Sequence, residues 1–114
     1  ILDIYAPSIR DFIKLMNQCD VLVANEGGTV HIAKALQKPT FTIFSPYVNK
    51  AHWASFEDGI KHHSIHLLDK KPEIYDGFTY GERKQIEQNP REFYLQLTPE
   101  IIIPDLKVFL KNNL

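Results

Sequence analysis

Asn25-Glu26-Gly27-Gly28-Thr29, with His31 two residues further on, is the stretch of this chain whose residue types suit a phosphorylated ligand. Paired glycines let a chain turn sharply and bring bare backbone to the surface, because glycine tolerates positive φ and has no Cβ to obstruct a ligand. Before the turn, Val21 to Ala24 is a short apolar run of the kind expected of a strand buried on both faces. After it, Val30, Ala33 and Leu36 fall at i, i+3 and i+6, with Ile32 and Ala35 beside them, which is a helical face. Thr29 is the expected N-cap and Pro39 the end of the unit. Such a turn points the first free N–H groups of a helix, and the positive end of its dipole, out from the carboxyl edge of a sheet. A phosphate or diphosphate is the natural guest there. The pattern by itself also allows a purely structural turn. Glu26 can be a solvated loop carboxylate, and His31 can simply pack.

A second set of reactive side chains lies downstream. Ser45 to Gly59 reads as a long loop leaving the same sheet edge, and such loops are more often functional or mobile than idle. Within it Lys50 and His52 could flank a phosphate and Trp53 could stack on a base, or Trp53 could plug the sheet. His62, His63 and His66 fall in an alternating stretch with Ile65 and Leu67, so His62 and His66 should share one side and His63 the other. No third ligand or fixed outer shell for zinc is visible, so no metal site is assigned, and solvent-facing histidines on an edge strand are the expectation.

The elements that must position these residues follow from periodicity. Ile1 to Tyr5 alternates as a strand ending at Pro7. Ser8 and Asp11 resemble a capping box ahead of Ile9, Phe12, Ile13 and Met16, so Ser8 to Gln18 is an amphipathic helix. With Thr40 to Phe44 as the next strand, two βαβ units form the core of a doubly wound parallel sheet. Asp69 to Asn89 is a polar excursion punctuated by Pro72, Gly77 and Gly81, with Tyr75, Phe78 and Tyr80 interspersed. Asn89-Pro90 opens a short helix to about Gln96. Thr98-Pro99 signals another start, and Pro104 should break that helix so that it restarts before Leu106, Phe109 and Leu110.

The bounds are those of one ordinary domain spanning residues 1–114. Its 114 residues are 44% hydrophobic and 24% charged, with a net charge of -1. That charge makes no case for nucleic acid or an anionic membrane. Cys19 is the single cysteine, so no internal disulfide can form, in keeping with a reducing, cytoplasmic setting. No apolar stretch approaches membrane-spanning length. Opening at Ile1, in a strand-like stretch, the chain reads as a piece of a larger protein.

Asn25 through Pro39, followed by Phe44-Ser45-Pro46, resembles the signature of the heptosyltransferase family, glycosyltransferase family nine. That pattern runs roughly Asn-Asp-Ser-Gly-Pro-Met-His-Leu-Ala-Ala-Ala-Leu-Gly-Lys-Pro, then Phe-Gly-Pro-Thr. Gly28 and His31 match outright. Glu26 stands for Asp, Gly27 for Ser or Thr, Thr29 for Pro, and Ser45 for Gly. The resemblance implies an α/β, partial Rossmann-like parallel sheet forming the C-terminal half of a GT-B fold. It implies that Asn25, Glu26, Gly27, Gly28, Thr29 and His31 bind a nucleotide-diphosphate sugar such as ADP-heptose, with Ser45 and Lys50 as further loop contacts. No cofactor is called for. The catalytic base would belong to an N-terminal domain, the acceptor would be a lipopolysaccharide core or related glycan, and the full enzyme would be cytoplasmic or peripheral at the inner membrane. Absent upstream strands would leave an exposed sheet edge open to self-association. The alternative reading is a non-catalytic α/β interaction module whose Gly-Gly turn only connects two elements.

Overall fold

A computed structural model describes residues 2–88 and 91–114. Three parallel strands, β1 (Leu22–Asn25), β2 (Thr40–Ile43) and β3 (His62–Ile65), form one sheet in the order β1-β2-β3. Leu22 pairs with Thr40 and Thr40 with His62, and the register runs on to Asn25, Ile43 and Ile65. Helix α1 (Ile9–Gln18) precedes β1, α2 (Gly28–Ala35) joins β1 to β2, and the link from β2 to β3 carries the single turn α3 (Lys50–Trp53). Beyond β3 come α4 (Leu67–Lys70), a 3-10 turn (Pro72–Tyr75), α5 (Tyr80–Gln88), α6 (Arg91–Gln96) and α7 (Pro99–Asn113). The fold is α/β, a partial Rossmann-like sheet flanked by helices.

The two faces of the sheet differ in chemistry. On one, Phe41 and Ile65 join Leu67, Phe93, Leu97 and Phe109 in a buried cluster, with α6 and α7 as the cover. Phe41 stacks on the His63 ring at 5.5 Å and meets Phe109 at 5.6 Å. The other face carries Thr40, Thr42, His62, Ser64 and His66, all buried, with Phe44 among them. There Thr40 Oγ1 and His62 Nδ1 lie 3.0 Å apart, a buried hydrogen bond between neighbouring strands. The alternation foreseen for 62–66 is present, but β3 does not turn its histidines to solvent: His62 and His66 are buried and His63 half-buried. An edge strand is open only along its backbone; both of its faces are covered here, and buried imidazoles are tolerated because each is hydrogen-bonded.

Several expectations change. Residues 2–6 form no strand, and Leu2, Ile4 and Tyr5 are exposed. Alternation alone does not make a strand without a neighbour to accept its backbone hydrogen bonds. The first of the two expected βαβ units is therefore absent, and β1 is an edge strand with Val23 exposed, so it is not buried on both faces. The doubly covered strand is β2, whose Thr40, Phe41 and Thr42 are all buried. Ser8 does cap α1, accepting from the Asp11 N–H at 3.1 Å, while its hydroxyl donates to the Asp11 carboxylate at 2.7 Å. The Asn89–Pro90 start lies outside the described residues. Pro104 does not divide the last helix, and α7 runs through it from Pro99 to Asn113. The ring removes one donor near the start of the helix on an exposed side, where water can satisfy the carbonyl left over, while Phe109, Leu106 and Leu110 hold the rest of the helix on the core.

Candidate functional site

At the carboxyl end of β1 the chain enters α2 through Gly27, whose φ of 153° and ψ of -176° lie in a region that side-chain-bearing residues rarely adopt. Gly27 is the N-cap, and among the described residues no side chain caps the helix. Thr29, expected to be that cap, is instead the second residue of α2, because the glycine conformation lets the helix begin two residues earlier. The first N–H groups of the helix thus have no capping side chain, and this end of the dipole opens onto a cleft of about 460 Å³. Glu26, Gly27, Gly28 and His31 line it, together with Lys34, Thr42 and Trp53.

Each wall is fixed by a different element. Glu26 is half-buried, and its Oε2 accepts the Ser45 N–H at 2.9 Å, tying the glycine turn to the end of β2. Glu26 is therefore not a freely solvated loop carboxylate, and one of its oxygens is turned onto the protein. Ser45 itself is fully buried and is not among the residues that line the cleft; its N–H serves to hold Glu26. His31 is exposed in the first turn of α2. Trp53 is 57% exposed and forms a cleft wall, so it does not plug the sheet. Lys34 is the reverse: its side chain is 6% exposed, and its Nζ binds the Glu57 carboxylate at 2.8 Å and the Ser55 carbonyl. Asn25 closes β1 and Thr29 follows the turn, and neither is among the lining residues.

Thr42 escaped the reading of the sequence. It is buried, lines the cleft, and its Oγ1 has no hydrogen-bond partner among the described residues. A buried hydroxyl without a protein partner, on a residue that lines a cleft, keeps hydrogen-bonding capacity in reserve. The signal was available in principle, since a threonine between Phe41 and Ile43 on a central strand must point opposite to both.

Lys50 stands apart from the glycine turn. It pairs with Asp69 at 2.8 Å and lines a neighbouring cavity of about 380 Å³ with Asn49, His66 and Arg83. The two cavities share Val48. His66 fixes that boundary: its Nδ1 accepts the Leu68 N–H at 3.0 Å and its Nε2 lies 3.0 Å from the Val48 carbonyl. An acceptor at Nδ1 and a carbonyl at Nε2 require the tautomer with hydrogen on Nε2. His52 lies on the exposed surface, with its Nε2 3.5 Å from the Asn49 amide. Among the described residues no group of three or more His, Cys, Asp or Glu is placed to hold a metal ion.

Behind the cleft, burial pushes the His62 imidazole below its ordinary value of 6.5, and the nearby Lys34 ammonium pushes it the same way. Asp58 precedes it in a turn, and its carboxyl is held below the usual range by the backbone N–H groups of His62 and Ile60, at 2.9 and 3.0 Å. A folded-state histidine value that is lowered means the unfolded chain takes up a proton first as pH falls. Stability should therefore decline as pH drops below about 6.5, where the unfolded imidazole begins to charge. Urea midpoints at pH 7.5 and 5.5 should fall further in the wild type than in His62→Asn, and equal falls would remove His62 as the cause.

Phe56 supplies one local test of this loop. It is 84% exposed and has a φ of 59°, the left-handed region that a bulky residue avoids. Phe56→Gly should stabilise the chain by about 0.5–1 kcal/mol, the steric cost of that conformation less the extra freedom glycine brings to the unfolded state. Chemical denaturation of the pair would read it, and a destabilised variant would show that the ring makes contacts that outweigh its backbone.

Together these features give a cleft with an uncapped helix N-terminus, a histidine in the first helical turn, a buried hydroxyl and an exposed indole wall. Comparison with curated proteins and with solved structures returned no match. The family model described as glycosyltransferase family 9 (heptosyltransferase) matches residues 7–75. That span takes in α1, the glycine turn, α2 and the whole sheet, more than half of the chain, and by it the chain belongs to glycosyltransferase family 9.

Proposed function

We propose that this chain is the donor-binding part of a heptosyltransferase-like glycosyltransferase, and that its cleft holds the diphosphate of a nucleotide-diphosphate sugar. The observation that carries this reading is the Gly27–Gly28 turn, which opens an uncapped helix onto the cleft beside His31. Backbone N–H groups at a helix N-terminus favour the charge that builds on a diphosphate as the sugar departs. In this reading Gly28 and Thr29 donate from the backbone and the His31 ring donates from the side. Thr42 offers its buried hydroxyl, and Trp53 offers a face for the sugar or base. Glu26, with one carboxylate oxygen already engaged by Ser45, keeps the other for a ribose or sugar hydroxyl and so avoids facing the phosphates.

The donor proposed is ADP-heptose and the acceptor a lipopolysaccharide core or related glycan, with the catalytic base supplied by a separate N-terminal domain of the same enzyme in the cytoplasm. No described helix is long and apolar enough to cross a membrane. In this reading the chain by itself binds donor and does not turn it over, and the open edge of β1 is where further strands or a second copy would join.

The test is a titration with ADP, with GDP and UDP as controls, followed by backbone amide shifts. Saturable shifts centred on Gly27, Gly28 and Thr29 that favour one base support the reading. Silence at millimolar nucleotide, in the chain and again in a two-domain protein, would sink it.

A further inference from the structure

The segment between β2 and β3 forms one wall of the cleft through Trp53; its first half is tied down where Lys50 pairs with Asp69 and the Val48 carbonyl meets His66, but the residues around Trp53 are not buried. Trp53 and Phe56 are both exposed, and α3 is a single turn with no buried residue. Its return limb is held to α2 through one side chain, while further on Asn113 of α7 donates to the Ile60 carbonyl at 2.8 Å. Lys34 reaches out of α2 with only 6% of its side chain exposed, and its Nζ takes the Glu57 carboxylate at 2.8 Å and the carbonyl of Ser55. Glu57 is itself 17% exposed, so the pair is largely withdrawn from water. The two fastened residues flank Phe56, and between them Phe56 is held in its left-handed conformation. A bulky, exposed side chain persists there only where the surroundings fix the backbone.

We propose that Lys34 and Glu57 are positioning residues that staple the 45–61 segment to α2 and so hold Trp53 in place as a wall of the glycine-turn cleft. Lys34 lines the cleft, but its charge is already matched by Glu57 and its donors are directed to Ser55 and Glu57, so its work is done on the loop rather than on a ligand. Removing one partner of a mostly buried pair costs far more than removing a solvated one, because the other charge is left stranded. The wall is therefore sensitive to a residue that need not touch the ligand. Only the second readout below rests on the nucleotide-site reading.

The test uses hydrogen exchange at the amides that order the loop: His52, Ala54 and Ser55, which donate to the carbonyls of Asn49, Lys50 and Trp53. In Lys34→Met these should exchange roughly tenfold faster than in the wild type. The Phe44 amide, which donates to Ile65 in the sheet, should keep its wild-type rate. A merely global loss of stability would speed all of them together. Glu57→Gln, which keeps an acceptor and loses the charge, should give a smaller change in the same direction and stands in if Lys34→Met does not fold. As the second readout, ADP affinity should weaken roughly tenfold in Lys34→Met, the scale of one lost stacking contact. Loop amides that keep their wild-type exchange in a folded variant, or that speed up only in step with Phe44, would overturn the staple. An absence of ADP-dependent shifts at Gly28 in the wild type would count against the nucleotide site alone, and the exchange comparison would still decide the staple.

Discussion

Phe41→Ala is expected to remove about 3–5 kcal/mol of stability, enough to leave a domain of this size partly unfolded in water. Phe41 sits on the doubly covered central strand, is completely buried, and touches both the His63 ring and Phe109 of α7. Truncation to alanine would leave a cavity that the sheet cannot close, because β2 is pinned on both sides by its parallel partners. Losing the ring also loosens α7, whose Phe109 depends on it. Val23→Ala, at an exposed position of the edge strand, should cost well under about 1 kcal/mol and serves as the matched control. Urea unfolding of the three proteins measures both, and a Phe41 loss no larger than that of Val23 would mean the core is centred elsewhere.

Gly28→Val should leave the fold standing while lowering nucleotide affinity by at least about 100-fold. A Cβ built on Gly28 meets nothing within 4 Å, and Gly28 is the first residue of a helix, where valine is no worse than glycine. The added branches would occupy the space from which an anion approaches the first N–H groups. Two charge-assisted amide contacts at about 1.5–3 kcal/mol each account for a loss of that order. Gly27→Val would be a poor test, since the positive φ of Gly27 would strain any side chain and mix folding with binding. Calorimetry with ADP, alongside the thermal midpoint, separates the two effects. Full affinity in a folded Gly28→Val protein would show that the glycine turn is only a connection.

How much of this was legible in the sequence depends on what decides each feature. The glycine turn, the helix after it and β2 could be read because their cues are local: two glycines, an apolar period of 3.6 and a closing proline. The resemblance to the heptosyltransferases rested on the same stretch, and the family match includes it. The edges of the sheet were not legible. Val21 to Ala24 is as apolar as a central strand, yet Val23, which shares its face with the buried Phe41, is left exposed at the edge of the sheet. The histidines misled for the opposite reason. A polar, alternating strand suggests solvent, but Thr40 and the Val48 carbonyl, both distant in sequence, supply the hydrogen bonds that let His62 and His66 go inside. Likewise, nothing near Lys34 announces that Glu57 will meet it, and nothing near Lys50 announces that Asp69 will draw it away from the turn.

The wholly parallel register carries a consequence for how quickly this chain can find its shape. Leu22 meets Thr40 and Thr40 meets His62, with no hairpin anywhere in the sheet, so each pairing closes a loop of roughly 20 residues before it returns any free energy. The first of these loops contains α2 and is shortened by it, while the second contains only the single turn α3. The barrier to folding should therefore lie in docking β3 onto an already formed β1-α2-β2 unit. Until that step is complete, β2 offers a second open edge, and the interval in which the chain is most prone to join another copy of itself is set by the slower loop.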